Sequence, residues 1–403
     1  MTIKIEGVEK INLKKGLVGM LATTAMFAAG CGNRTSTDGS AANEDGQVTL
    51  GTIFAITGAV SGYGTPQENA IKMAIDEINE DGGVLDGKEI ELVNYDYTSV
   101  DTEAAQLATR LATQDNVDAI LGADTSGSSK TALQSASKHE VPTLSPSASA
   151  DNYTVASGEK VEEWGWRVAF PDSYQGGALA QFAQQDLQAK KVAILMDNSS
   201  DYSIGLVNFF EDTFSGEVVA KENFTAGQTD FNATLTSLNE LDFDVLLVTG
   251  YYEEGGPIVR QAREIGLDQP ILAPDGFGNQ ALIDLAGPEN LNDVYYTTQF
   301  TALNENPLVN EFVKNYTERF GSEPDMFAAM AYDAAYVMRD AIERAGSENR
   351  QDINEALAET QNFEGVTGTF SYDDMHNPSK SVTILELQEG EAVNTYTVDP
   401  EDL

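Results

Sequence analysis

Four short stretches of the chain gather groups able to grip a small ligand. "GADTSGSS" (122–129) and "SPSAS" (145–149) follow apolar runs and scatter hydroxyls, whereas "VTGYYEEGG" (248–256) and "LAPDGFGN" (272–279) place tyrosines and an acid after two later apolar runs. In the first pair, Ser126, Gly127 and Ser128 open a helix, so hydroxyls and backbone N–H groups without intrahelical partners converge and suit a carboxylate. Ser145, Ser147 and Ser149 offer the same chemistry after the neighbouring run. In the second pair, Tyr251 and Tyr252 supply ring faces and hydroxyls, and Asp275 supplies a negative charge that can pair with an ammonium. An amino acid carries both charges. The competing reading is structural, because serines cap helices and an Asp before Gly is a common turn residue.

Signs of catalysis are missing from the sequence. Ser128 stands where a phosphate loop needs its lysine, and no G-x-S-x-G elbow occurs. The two histidines, His139 and His376, each lack a second histidine at ligand spacing, which argues against zinc and against a serine triad. Acidic pairs are too common in this chain to signify glycosidase chemistry. We therefore expect no catalytic residue, no metal ligand and no cofactor.

Positioning these loops requires a scaffold in which each follows a strand. From Val48 onward apolar runs alternate with amphipathic stretches: strand "VTLGTIFAI", helix "PQENAIKMAIDEINED" with Pro66 in its first turn, strand "EIELVNYDY", helix "DTEAAQLATRLATQ", strand "VDAILG", a helix from about Ser128, and strand "VPTLS". The plan restarts after "WGWRVAFPDS" with helix "GGALAQFAQQDL", strand "KVAILMD", a helix near Tyr202 to Phe214, and further strand and helix pairs to "PILAPDG". Such alternation implies right-handed crossovers and parallel sheets covered on both faces, so the chain reads as α/β. Two helical stretches, "PLVNEFVKNYTERF" and "MFAAMAYDAAYVMRDAIERA", then precede C-terminal strands. Ligands of such sheets bind beyond the carboxyl ends of the strands, where the four loops fall.

The 403 residues carry 65 acidic and 23 basic side chains, a formal net charge of −42. That field repels phosphate backbones and argues against nucleic acid as a partner. The acids are dispersed through patterned sequence, which fits a solvated, salt-tolerant surface and an acidic, halophile-like proteome. Residues 1–30 read as a signal peptide, with Lys4, Lys10, Lys14 and Lys15 before the apolar "GLVGMLATTAMFAAG". The single cysteine, Cys31, follows "AAG" directly, and the polar stretch 31–46 has the composition of a flexible tether. This arrangement resembles a bacterial lipoprotein signal, with Ala28 where leucine is usual. It implies a lipid on Cys31 and attachment to the outer face of the cell membrane, in a periplasm or at the cell surface.

The stretch from Val48 to Val398 resembles the type I periplasmic solute-binding proteins of branched-chain amino acid ABC transporters. The residues that carry the resemblance are "GTIFAITGAVSGYG", "AIKMAIDEINEDGGVLDGKEIELVNYD", "VDAILGADTSGSS", "VPTLSPSAS" and "LLVTGYYEEGGPIVRQAREIGL". The family implies two Rossmann-like lobes with parallel sheets, joined by three crossover strands, that close on a ligand. Both lobes would be discontinuous, the first taking 47–168 and 300–370 and the second 169–299 and 371–403. By motif, Ser126 would meet the ligand carboxylate through its hydroxyl and N–H. The small-residue loop falls on Ser147, Ala148 and Ser149, where the carbonyl of Ser147 would accept from the ammonium and Ser149 would serve either ligand end. Asp275 would pair with the ammonium. Tyr63, Tyr202 and Tyr251 would form aromatic walls, with Phe277 and Phe327 lining the side-chain pocket. The implied partners are an amino acid, branched-chain or otherwise apolar, and the permease subunits of an importer. A binder of another small solute (an amide, urea or an aromatic acid) and a ligand-sensing receptor are the alternatives on the same fold.

Overall fold

A computed structural model describes residues 47–156 and 160–398. The signal peptide, the tether and Cys31 lie outside the described residues. The first sheet is built from β1 (Val48–Phe54), β2 (Ile90–Asp96), β3 (Ala119–Gly122), β4 (Thr143–Ser145) and, after the small pair β5 (Val155–Ala156) and β6 (Lys160–Val161), β7 (Gly165–Arg167). Its order is β2-β1-β3-β4-β7 and every pairing is parallel. Every residue of β1 is buried, as a central strand covered on both faces requires. The crossovers of this sheet are helices α1 (Ser61–Glu80), α2 (Asp101–Thr113) and α3 (Ser126–Ala136).

The second sheet follows with α4 (Asp172–Gln185), β8 (Lys191–Asp197), α5 (Asp201–Thr213), β9 (Glu217–Phe224), α6 (Asn232–Asn239), β10 (Val245–Thr249), α7 (Tyr252–Glu264), β11 (Ile271–Ala273), α8 (Gln280–Ala286) and β12 (Val294–Thr298). The chain then returns to the first sheet's side with α9 (Pro307–Phe320), α10 (Met326–Ala345), α11 (Arg350–Ala358) and the hairpin β13 (Phe363–Gly365) and β14 (Gly368–Phe370). It closes with β15 (Val382–Gln388) and β16 (Glu391–Val398) on the second sheet, whose order is β16-β15-β12-β11-β10-β8-β9. This sheet is not wholly parallel. Strand β15 runs antiparallel to β12, and β16 antiparallel to β15, because a chain that re-enters beside β12 and turns back on itself can pair only in that sense.

Helix α10 packs along α1. Its alanine-rich inner face allows close approach, Asp325 caps its N-terminus by accepting from the N–H of Ala328 (2.8 Å), and Gly346 ends it in the left-handed region at φ 60°. Three connections pass between the sheets, at 168–171, 299–306 and 371–381, and polar side chains tie them together. Gln299 Oε1 accepts from the N–H of Phe170 (3.2 Å), and Arg167 Nε donates to Asn377 Oδ1 (2.8 Å).

Helix starts differ from the sequence reading in two places. Helix α3 begins at Ser126, with Thr125 as N-cap and Ser128 completing the reciprocal capping box, two residues before the expected start. Helix α1 begins at Ser61, so Pro66 lies inside it rather than in its first turn. The cost of Pro66 is one missing N–H. Tertiary contacts offset it, for "SGYG" (61–64) is wound into the helix by Tyr252, whose hydroxyl accepts from the N–H of Gly62 (2.9 Å) and donates to Ala59 O (2.8 Å). Gly64 lies so close to the Ala55 carbonyl and the Asp124 carboxylate that a side chain there would strike both.

Candidate ligand-binding cleft between the lobes

A gap between the two lobes is walled by Tyr63, Asp124, Thr125, Ser126, Ser147, Ser149, Tyr202, Tyr251, Asp275, Gly276 and Phe327. The space between wall atoms is ≈ 240 Å³, of which ≈ 10 Å³ can hold the centre of a water molecule. Among the described residues a wider cleft, ≈ 620 Å³ by the latter measure, lies by α1, α9 and α10, and its wall mixes acids and two arginines with aromatic and neutral polar side chains. The small gap is where opposed chemistries meet.

On the first lobe, β3 delivers Asp124, Thr125 and Ser126 to the mouth of α3, and β4 delivers Ser147 and Ser149 beside them. Ser126 Oγ accepts from the N–H groups of Ser149 (3.3 Å) and Ala150 (3.1 Å), so its lone pairs are occupied and its proton remains for an outside acceptor. The N–H groups of Ser126 and Gly127 stand in the first turn of α3, where no intrahelical acceptor exists. This corner is a donor site. Ser147 Oγ lies within hydrogen-bond reach of Gln67 Oε1 (3.1 Å) and Asp124 O (3.0 Å), which fixes the loop against α1.

Asp124 is spent on the scaffold. Its carboxylate accepts from the N–H of Ala55 (2.6 Å) and from the Tyr97 hydroxyl, and burial lifts its pKa to about 7. The second lobe brings the acid that faces the gap. Asp275 sits just beyond β11, 4% exposed, with Oδ1 accepting from the Tyr202 hydroxyl (2.6 Å) and its N–H donating to Gln175 Oε1 (3.1 Å). Burial raises its pKa to about 6, with the Tyr202 bond pulling the other way. No ion pair among the described residues includes Asp275.

Rings complete the wall. Tyr202 and Tyr251 stack at 5.2 Å, Tyr63 meets Tyr251 edge-on at 5.6 Å, and Phe327 lies 4.5 Å from Tyr63. Tyr63 also crosses the cleft: its hydroxyl donates to Gly276 O (2.6 Å) and accepts from the N–H of Tyr252 (3.2 Å). The lobes are thus drawn together by Tyr63 and Tyr252 in reciprocal fashion. Gly276 permits the approach, since a Cβ there would lie 2.7 Å from Gly250 O and 3.1 Å from the Tyr202 hydroxyl.

The structure brings together eight of the residues singled out in the sequence: Tyr63, Ser126, Ser147, Ser149, Tyr202, Tyr251, Asp275 and Phe327. Two others that the resemblance assigned to the ligand lie outside the wall. Ala148 faces the small cluster of Leu133, Tyr153 and Trp164, on the opposite side of its loop from its serine neighbours. Phe277 packs against Gly255 of α7 in the main core. Asp124, Thr125 and Gly276 are wall residues that the sequence reading passed over, although each lies within two positions of a residue it chose. Tyr252, which the sequence reading chose with Tyr251, lies behind the wall and braces it, as do the glutamines Gln67 and Gln175, which carried no such signal.

The sequence profile of the family described as "Periplasmic binding protein" matches residues 47–392. The branched-chain amino acid transporter substrate binding protein LivJ from Streptococcus pneumoniae, solved in complex with isoleucine, shares 38% identity at a TM-score of 0.84, covering 88% of this chain and 100% of that one. The leucine binding protein LivK from Thermotoga maritima shares 36% at a TM-score of 0.82, with the same coverage. A leucine-, isoleucine-, valine-, threonine- and alanine-binding protein from Pseudomonas aeruginosa is 29% identical over 322 residues, 79% of this chain and 84% of the relative. Among the described residues no helix is long and apolar enough to cross a membrane, and proteins of this family work outside the cytoplasm as substrate-binding components of transporters. With its two α/β lobes and the cleft between them, the chain belongs to the type I periplasmic binding proteins of the branched-chain amino acid transporter family.

Proposed function

We propose that this protein captures an amino acid with an apolar side chain, of the leucine, isoleucine and valine class, and delivers it to the permease of an ABC importer. One observation carries the reading: the donor corner at Ser126 on one lobe and the acceptor Asp275 on the other face a single ring-walled gap. A zwitterion satisfies both. Its carboxylate suits the Ser126 hydroxyl and the N-terminus of α3, and its ammonium suits Asp275 and the carbonyl of Ser147, with Ser149 between. Tyr63, Tyr202, Tyr251 and Phe327 would enclose the side chain. Similarity to LivJ and LivK supports the ligand class.

Because the two ends of the ligand contact different lobes, binding favours the closed arrangement by its differential contacts, and the permease would read that closed form. The lobes would divide at 47–168 with 300–370 and 169–299 with 371–403. Cys31 would carry the lipid that anchors the chain, with 31–46 as tether; mass spectrometry of the native N-terminus should find an acylated cysteine, and an unmodified one would refute the anchor. The ligand is tested by calorimetry against the twenty amino acids, small amides, urea and benzoate in molar salt. Leucine, isoleucine or valine should bind most tightly. Preference for a ligand without an ammonium would overturn the reading.

A further inference from the structure

The cleft has a second fastening, at the edge where α3 faces α5. Asp201 opens α5, and its Oδ2 accepts from Lys130 Nζ (3.2 Å), one turn along α3 from Ser126, and from Asn152 Nδ2 (3.0 Å). Both donors come from the first lobe and the acceptor from the second. Of the nine ion pairs among the described residues, this one alone joins the lobes, since the other eight link residues on the same side. The turn that carries Asn152 is itself fixed, because Asp151 accepts from the N–H (3.0 Å) and the hydroxyl (2.8 Å) of Ser173. The acceptor is fixed too. Tyr202, the residue after it, is 2% exposed, and its hydroxyl is bonded to Asp275 and to the N–H of Gly276 (3.0 Å).

This contact differs in kind from the Tyr63 clasp. Tyr63 and Tyr252 are buried and uncharged, so dissolved ions leave their bonds alone. The side chains of Lys130 and Asp201 are 33% and 64% exposed, so salt reaches them. Asn152 and then Lys130 hold the Asp201 carboxyl below the usual carboxylate range, and it stays charged through neutrality. Resting on the closure proposed above, we infer that Lys130, Asn152 and Asp201 form a latch that slows reopening of the loaded cleft, and that ionic strength sets how long it holds. An exposed pair contributes little to a fold. Here it exists only when the lobes are shut, so its effect falls on release, the step that must break it. Salt thereby acts in two senses on this chain: screening relieves the repulsion among unpaired acids and loosens the one ionic attraction that joins the lobes.

The test is the release of radiolabelled leucine from the full chain, chased with excess unlabelled leucine, at about 0.1 M and about 1 M potassium chloride. At low salt Asp201→Asn and Lys130→Gln should each release leucine roughly two- to fivefold faster than wild type. The double variant should be no faster than Asp201→Asn alone, because both changes break one contact. At high salt all four proteins should release leucine at the same rate. A double variant whose acceleration is the product of the singles, or a difference that survives high salt, overturns the inference, since a general structural defect is indifferent to ions. If leucine binds wild type and both variants release it at the wild-type rate in low salt, the latch is wrong and the functional reading stands. If wild type binds no amino acid, the functional reading fails, and X-ray scattering of the ligand-free proteins judges the latch alone. Asp201→Asn should then have the larger radius of gyration at low salt, and equal radii overturn the latch.

Discussion

At the scale of single residues, the proposed reading makes Asp275 the group that would set the strength of capture. Its carboxylate is buried, bonded to the Tyr202 hydroxyl and without a cation of its own. Asp275→Ala would leave a bound ammonium facing a ring wall and should weaken leucine binding by about 2–4 kcal/mol. Calorimetry with an unchanged dissociation constant would remove Asp275 from the site. Residues of this kind were legible because a polar group directly after an apolar run stands at a strand's carboxyl end. Gln67 and Gln175 were not legible. They occupy helices, where amides are ordinary, and only the fold shows that Gln175 Oε1 also takes a bond from Thr297 (2.5 Å) beneath the cleft.

At the scale of elements, the proposed closure would depend on the first turn of α1 meeting the first turn of α7. Tyr63 and Tyr252 each span the cleft, and each gives and receives one hydrogen bond. Tyr63→Phe would strand the Gly276 carbonyl and the Tyr252 N–H when the lobes shut. It should disfavour the closed form by about 1–3 kcal/mol, which is roughly 5- to 150-fold in apparent affinity, and X-ray scattering should show a larger radius of gyration. An unchanged affinity and radius would show that the clasp carries no weight. The parallel strands were readable as apolar runs, since strands covered on both faces need no alternation. The start of α1 was not, because two glycines and Pro66 disguise a helix that Tyr252 and Asp124 hold in place from far along the chain. The reversed sense of β15 and β16 was equally hidden, for a strand's pattern records its faces and not its direction.

At the scale of the whole molecule, charge governs stability. Only nine ion pairs form among the described residues, against 65 acidic side chains in the sequence. The remaining repulsion is screened over about 3 Å at 1 M salt and about 10 Å at 0.1 M, so Tm should rise with salt across that range. Mild acid should act in the same direction. Burial raises Asp118 and Asp275 to about 6 and Asp124 and Asp325 to about 7, against an ordinary 3.8. Between about pH 4 and pH 7 the folded chain holds protons that the unfolded chain has lost, so this contribution is complete below that window and disappears as pH rises through 6 to 7. Asp201 and Asp244 are held low, the first by Asn152 and Lys130 and the second by the backbone N–H groups of Lys190 and Lys191, and their contribution is lost only as pH falls below the ordinary carboxylate value. Thermal unfolding should therefore show greater stability near about pH 5 than near about pH 7.5. A Tm that falls steadily from neutrality to pH 5, or that ignores salt, would contradict the account.

The phenol of Tyr63 is at once a panel of the chamber and the bolt on its door. Any change made there to admit a bulkier or a slimmer cargo also resets how often the unloaded receptor shuts on nothing. Breadth of diet and idle closure are therefore inherited together, and an engineer wishing to alter one without the other must leave position 63 alone and work from Phe327 or Tyr251 instead.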